Sequence, residues 1–413
     1  VRSEESAGER PLQGLRIVEL AGIGPAQLGT MMLADLGAEV IRIDRAGDAP
    51  PEAPSGPSLE AMGRGRRSVA LDLKQPEAVS WARQLVDAAD ICIDPYRPGV
   101  ASRLGLDPQE CLARNPRLIY AQMTGWGQTG ALAMTAAHDI NYIGIAGALH
   151  PMGSPAEPPP VPLNLTADFG GGAMYMVAVT MAAIVERERT GRGRILDVAM
   201  LDGVATMLTS ILQFRAQGMW SDARGSNFLD GAAPFYRAYR TADGRFVTVG
   251  AIEDQFYAEL LERLGLEAAE WPQWQRDRWP ALSERLAELF AAEPLSHWIS
   301  QLEGTDACFA PALTFDELPD HPHLRDRGTY VEHNGFLQPA PAPAFGLEAE
   351  IAASPWPGEQ SAEILAELGL GPEDVETAID AGTAAVPGRS PGSGPRNLSP
   401  PVPGAGPGQP LSG

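Results

Sequence analysis

The chain has 413 residues, 44% of them hydrophobic, which is enough for two cores and excludes disorder throughout. Its 53 Asp and Glu outweigh 31 Lys and Arg, and the net charge of −22 opposes nonspecific attraction to nucleic acid or to an anionic membrane surface. Cys92, Cys111 and Cys308 are too scattered for a metal or redox pair, and no uninterrupted apolar run reaches the ~18 residues of a membrane span, so a metal-free cytoplasmic protein is expected.

Residues 14–20 (GLRIVEL) read as a β-branched strand, followed by a small-residue turn, a helix through Met31 and Leu36, and a second strand over 38–43. Strands at 68–71, 90–94 and 118–123, with a helix over 77–88, extend this into a doubly wound, Rossmann-like α/β domain. A helix over 169–189 begins immediately after Asp168, and a second apolar helix covers 204–217; both would cover the sheet. Composition shifts at 218–231. Strands at 236–239 and 246–249 and helices at 255–264 and 282–290 then predict a smaller α+β domain ending near Cys308 to Leu313. A proline-rich connector at 339–343 returns the chain to the large domain, where a helix over 361–368, stopped by Gly369, docks. The expected division is a large domain of residues 11–220 completed by 331–382, a small domain of 228–325, and a Gly/Pro-rich tail of 383–413. That tail has almost no large apolar groups, so it is expected to be disordered and its deletion to leave activity intact.

The turn after the first strand, Gly22-Ile23-Gly24-Pro25-Ala26-Gln27, followed later by Asp44, imitates a dinucleotide-binding fingerprint. Gln27 stands where the third glycine belongs and Pro25 removes an amide donor, so the two glycines are read as packing devices.

Three segments carry more chemistry: 137–142 (AHDINY), 164–172 (NLTADFGGG) and 249–257 (VGAIEDQFY). Together with the surrounding RPLQGLRIVELAGIGPA, AEVIRIDR, YRPGV, RLGL and MTGWGQTG, they resemble the α-methylacyl-CoA racemases of the class III CoA-transferase (CaiB/BaiF-type) superfamily over residues 11–343. The resemblance implies an acyl-CoA substrate, no metal or redox cofactor, and an interlocked homodimer whose active sites lie between a large and a small domain. It makes His138 and Asp168 the acid–base pair, with Glu253 fixing the imidazole tautomer. Departures are Ala137, where the racemases usually have glycine, and Asp94-Pro95-Tyr96, where a glutamate and a small residue are more common.

The chemistry demands such groups. A proton next to a thioester carbonyl is weakly acidic, so its exchange needs a base on one face, a proton donor on the other and a stabiliser for the enolate oxygen. Asp168 before Phe169 and Gly170-Gly171-Gly172 would place a carboxyl at a helix start with free amides nearby; Gly170 would let the thioester approach. Free amides lower that carboxyl's pKa while burial raises it, and the sequence leaves the outcome open. Asp139, Asn141, Tyr142 and Asn164 are substrate-positioning candidates.

Taken singly, His138-Asp139 is a helix-capping pair, Asp168 an N-cap and Glu253 a surface carboxylate; their joint occurrence favours catalysis. For CoA, the resemblance points to Arg45, Arg64, Lys74, Arg97 and Arg103 for the phosphates, with adenine near Leu71 and Cys92. The plainer reading of 64–67 is a solvated basic loop. The methionines of 174–181 and 200–219 fit either an acyl-binding surface or core packing. Two alternatives remain: a CoA-transferase using Asp168 as nucleophile, and a noncatalytic CoA-ester binder.

Overall fold

The computed structural model describes residues 10–341, 345 and 351–389. Strand β1 (Arg16–Leu20) sends alternate side chains to opposite faces of a sheet, so Ile17 and Val18 enter different cores. Helix α1 (Pro25–Asp35) leads to β2 (Glu39–Arg45), parallel to β1 with Ile17 opposite Val40. Next come β3 (Arg66–Leu71), α2 (Pro76–Asp87), β4 (Ile91–Asp94), α3 (Val100–Arg103), α4 (Pro108–Arg114) and β5 (Ile119–Thr124). These agree with the sequence-derived α/β alternation to within a few residues at each end.

In space the strands run β3-β2-β1-β4-β5, so the winding reverses between β1 and β4. Such a reversal leaves a crevice at the carboxyl ends of the two central strands, the general ligand site of open α/β sheets. Here the crevice is narrow: a Cβ at Gly22 would overlap Pro95. Gly24 serves differently, entering α1 with a φ of 69° that an L side chain rarely adopts.

Helix α5 (Asp139–Ala146) is followed by a π-helical segment, Leu165–Met174, which runs directly into α6 (Tyr175–Thr190). The expected helix start after Asp168 is therefore corrected: the aspartate lies within a helix that begins at Leu165. Strand β6 (Arg194–Ala199), parallel to β5 at the sheet's edge, was not anticipated from the sequence. The apolar stretch expected as one helix divides into α7 (Met200–Met207) and α8 (Thr209–Ala216). Helix α7 lies so close to the π-helical segment that a Cβ at Gly203 would overlap the Gly171 carbonyl oxygen.

The continuous 26-residue helix Leu165–Thr190 is apolar enough by composition to cross a bilayer. It nevertheless contributes Ala173, Met176 and Ala183 to the protein core, and its buried Arg187 pairs with Asp90 at 2.8 Å.

A second unit comprises β7 (Tyr236–Arg240), β8 (Phe246–Gly250), α9 (Asp254–Arg263), α10 (Trp279–Ala292), α11 (Leu295–Leu302) and β9 (Phe309–Pro311). Its antiparallel sheet packs one face on the helices around a core containing Phe235, Val247, Leu260, Leu286 and Phe290. Helix α12 (Pro322–Arg327) and the hairpin β10 (Tyr330–His333) and β11 (Phe336–Pro339) follow. Of the proline-rich connector, residues 342 and 343 lie outside the described residues.

Helices α13 (Ser361–Glu367) and α14 (Pro372–Asp380) then pack against the large sheet, burying Ile364 and Ile379 beside Val69 and Leu71. The expectation of disorder from Thr383 onward is corrected. Ala384–Ala385 forms β12, antiparallel to β3 at the sheet's other edge. Small apolar groups and backbone bonds hold it: Ala384 and Val386 join the core around Val69, the Asp72 amide donates to the Thr383 carbonyl at 2.9 Å, and the Ser361 hydroxyl to the Ala385 carbonyl at 2.6 Å. Residues 390–413 of the expected tail lie outside the described residues.

Candidate active site

The π-helical segment is anchored by a residue outside it. A π-helix bonds i to i+5, so its first amides have no partner within the helix. Asp139, buried at the start of α5, accepts the Ala167 and Asp168 amides on one oxygen at 2.6 and 2.8 Å. The amides after Asp168, which the sequence analysis expected to be free at a helix start, lie instead inside the helix begun at Leu165. The structure thus removes the expected free helix terminus, and Asp139 is a structural clamp that orients Asp168.

His138 is the N-cap of α5, its amide donating to Asn141 Oδ1 at 3.1 Å. Its imidazole and the Asp168 carboxyl both face a cavity of about 470 Å³ at the sheet's crevice. Burial pushes the Asp168 carboxyl above the ordinary aspartate value. A hydrogen bond from Asn164 at 3.4 Å opposes the shift, the Asp139 charge adds to it, and His138 offsets it in part. The competition left open by the sequence is decided in favour of burial.

Tyr142 forms the cavity floor. Its hydroxyl donates to the Ala137 carbonyl at 2.7 Å, and its ring meets Trp126 edge-on at 4.7 Å. A Cβ at Gly125 would overlap that ring. Burial raises the Tyr142 phenol, the Asp168 charge adds to this, and Arg97 works against it. Gly170 lies on the π-helical segment, where a Cβ would meet the Leu165 carbonyl oxygen at 3.2 Å.

Glu253 is elsewhere. It is the N-cap of α9 in the second unit, close enough for its charge to help raise the Cys308 thiol after burial, and it does not line the cavity holding His138. Within one chain the expected His138–Glu253 pair is absent.

The residues expected to hold CoA divide in two. Arg45, Leu71 and Lys74 line a second cavity of about 780 Å³ beside the first, and Arg45 and Tyr96 border both. Arg97 lines the cavity of His138 and Asp168. Arg64 and Cys92 are corrected. Arg64 is buried, held by Asp35 at 3.0 and 2.6 Å and by the Pro339 carbonyl at 3.0 Å, so its guanidinium is spent on structure. Neither is this stretch a solvated loop, since Arg66 is buried against Glu19. Cys92 lies fully buried in the sheet core, where burial drives its thiol far up, and it cannot touch a ligand. Arg103 is exposed on α3 and lines neither cavity.

Sequence reasoning missed Tyr96 and Trp126 as cavity residues, while Met200, within a methionine-bearing stretch it offered for the acyl chain, lines the cavity. Tyr96 and Trp126 follow the carboxyl ends of β4 and β5, a positional signal that was available. Of the methionines, Met176 and Met200 are buried, while Met174, Met207 and Met219 are about half exposed. Among the described residues no cluster of three or more His, Cys, Asp or Glu is placed to hold a metal ion.

A family model, CoA-transferase family III, matches residues 12–362. The chain belongs to that family. Over 369 residues it is 42% identical to the α-methylacyl-CoA racemase of Mus musculus and 41% identical to that of Homo sapiens, spanning 88% of this chain and 95% of each relative. The acetyl-CoA:oxalate CoA-transferase of Acetobacter aceti is 30% identical over 80% of this chain and 87% of its own. Among solved structures, a CaiB/BaiF family protein from Brucella suis superposes with a TM-score of 0.73 at 27% identity, covering 87% of this chain and all of that one. This family III member therefore shares its architecture with CaiB/BaiF proteins and a much higher sequence identity with racemases than with that transferase.

Proposed function

We propose that this protein is an isomerase that racemises 2-methylacyl-CoA thioesters by exchanging the proton on the carbon next to the thioester carbonyl. The observation that carries the reading is that His138 and Asp168, on separate elements, face one cavity while burial raises the Asp168 carboxyl. A raised carboxyl retains its proton nearer neutral pH and can return it to an enolate. In one direction neutral His138 takes the α-proton, leaving imidazolium and enolate, and protonated Asp168 delivers its proton to the opposite face. The other enantiomer reacts with the roles exchanged. No metal or redox step is required, and CoA enters only as part of the substrate.

The adjoining cavity of Arg45, Leu71 and Lys74 would take the CoA nucleotide, and the passage past Arg45 and Tyr96 would lead the pantetheine arm to His138. Since Glu253 lies apart from His138 in one chain, their pairing requires the second unit of another copy, which an interlocked homodimer would supply. Light scattering should therefore report about twice the chain mass; a monomer at working concentration would contradict the pairing.

Incubation with a single 2-methylacyl-CoA enantiomer in deuterated water tests the reading. Deuterium should enter the α-carbon without any acceptor acid, and His138→Ala or Asp168→Asn should slow exchange by ~10²–10⁴-fold while CoA binding persists. A CoA-transferase using Asp168 as nucleophile would instead require an acceptor and form an aspartyl thioester. Binding with neither exchange nor CoA transfer to an acceptor acid in the wild-type protein would leave only a CoA-ester binder.

A further inference from the structure

The segment 383–389 lies beyond the residues that the family model matches, 12–362, yet it borders the larger cavity. Ala385 and Arg389 line that cavity with Arg45, Leu71 and Lys74. Opposite them runs the loop that follows β2, and the Gly388 amide joins the two walls by donating to the Pro50 carbonyl at 2.9 Å. Gly388 has a φ of 79°, and a Cβ there would press on Ala53 at 3.1 Å, so glycine suits this closure.

Arg389 ends the described segment, and its guanidinium is doubly occupied. One nitrogen pairs with Glu376 and another with Asp380, each at 2.7 Å, both carboxylates belonging to α14. A guanidinium neutralised in this way is a poor phosphate ligand but an effective clamp, tying the cavity wall to a helix packed on the sheet.

We infer that residues 383–389 form the closing wall of the CoA nucleotide site, with Arg389 as its positioning residue. This rests on the assignment of the larger cavity to CoA in the proposed racemase. The wall lines the larger cavity and His138 only the smaller one, so the wall bears on the phosphoadenosine end of the ligand and leaves the reacting carbon untouched.

The test uses full-length protein carrying Arg389→Ala, Arg389→Lys, or Glu376→Gln with Asp380→Asn, which removes both charges that hold Arg389. Each is compared with wild type in Tm, in Kd for CoA by calorimetry, and in kcat/KM for a 2-methylacyl-CoA and for the matching acyl-pantetheine thioester. Arg389→Ala should weaken CoA binding by roughly 3- to 10-fold, with no loss on the acyl-pantetheine substrate. Arg389→Lys, which can keep one ion pair, should lie between, and Glu376→Gln with Asp380→Asn, which unclamps Arg389, should weaken CoA binding about as much as Arg389→Ala.

Unchanged CoA affinity in folded Arg389→Ala, or an equal loss on the nucleotide-free thioester, would overturn the inference. Unchanged or tighter CoA binding in Glu376→Gln with Asp380→Asn would do so too, because it would make Arg389 a direct phosphate ligand. If the wild-type protein binds CoA but exchanges no α-proton, the racemase reading fails while the Kd series still decides the wall. Absence of CoA binding by the wild-type protein would refute the wall outright.

Discussion

Replacing Asp139 probes how the π-helical segment is held. Its carboxyl is 4% exposed and one oxygen accepts two amides, while the other is buried without a partner. Asp139→Ala strands two buried N–H groups at ~1–3 kcal/mol each, a loss of ~2–6 kcal/mol. Asp139→Asn retains an acceptor but exchanges charge-assisted bonds for neutral ones, a loss of ~1–3 kcal/mol. Urea unfolding should rank wild type above Asn above Ala. The Asn variant also removes a negative charge that helps raise Asp168, so the Asp168 carboxyl should titrate lower. The alkaline limb reporting loss of protonated Asp168 should then move to lower pH in the exchange rate. An alanine variant within ~0.5 kcal/mol of wild type, or a limb that stays in place or moves upward in Asp139→Asn, would refute the clamp.

Two further outcomes are expected. Asp94 is buried at the end of β4, and burial pushes it up to about 6, opposed by bonds from the Tyr96 amide and the Tyr120 hydroxyl. The folded state thus binds its proton more tightly than the unfolded state, so stability from this group is complete below pH ~4 and declines by ~3 kcal/mol as pH rises through 6. Asp94→Asn should flatten that slope and exceed wild type in stability at pH 8; parallel pH–stability curves would count against it. Deletion of residues 390–413 should leave CoA affinity and Tm unchanged, whereas deletion from Thr383 should remove β12, lower Tm by ~4–8 °C and weaken CoA binding. Indistinguishable behaviour of the two truncations would restore the view of this segment as dispensable.

Much of the fold was legible because it rests on short-range pattern. The β-branched runs around Ile17 and Ile41 bury both faces, and the apolar spacing of Ala78, Ala82 and Leu85 lies along one helical face, so strand and helix follow from local period. Edge elements were harder. In β6 only Val198 and Ala199 are buried, and β12 is two alanines whose stability comes from backbone pairing, which composition does not encode.

The site shows the same division. His138, Asp139 and Asp168 were recognisable as residue types in a characteristic order, and the structure brings His138 and Asp168 to one cavity with Asp139 bonded to the Asp168 amide. Which amides remained free could not be read, because the π-helical register depends on Asp139 reaching across from another element and on backbone contact between Gly171 and Gly203. Arg45 and Arg64 look alike in the sequence, yet one faces a cavity and the other is consumed by Asp35 and a carbonyl some 275 residues away. By itself the sequence determined the strand and helix order and the chemical cast, since both reside in side-chain type and local spacing. Only tertiary structure decided which charges were already paired, where Asp168 sits in its helix, and that Glu253 and His138 lie apart within one chain, because those outcomes depend on groups brought together from distant parts of the chain.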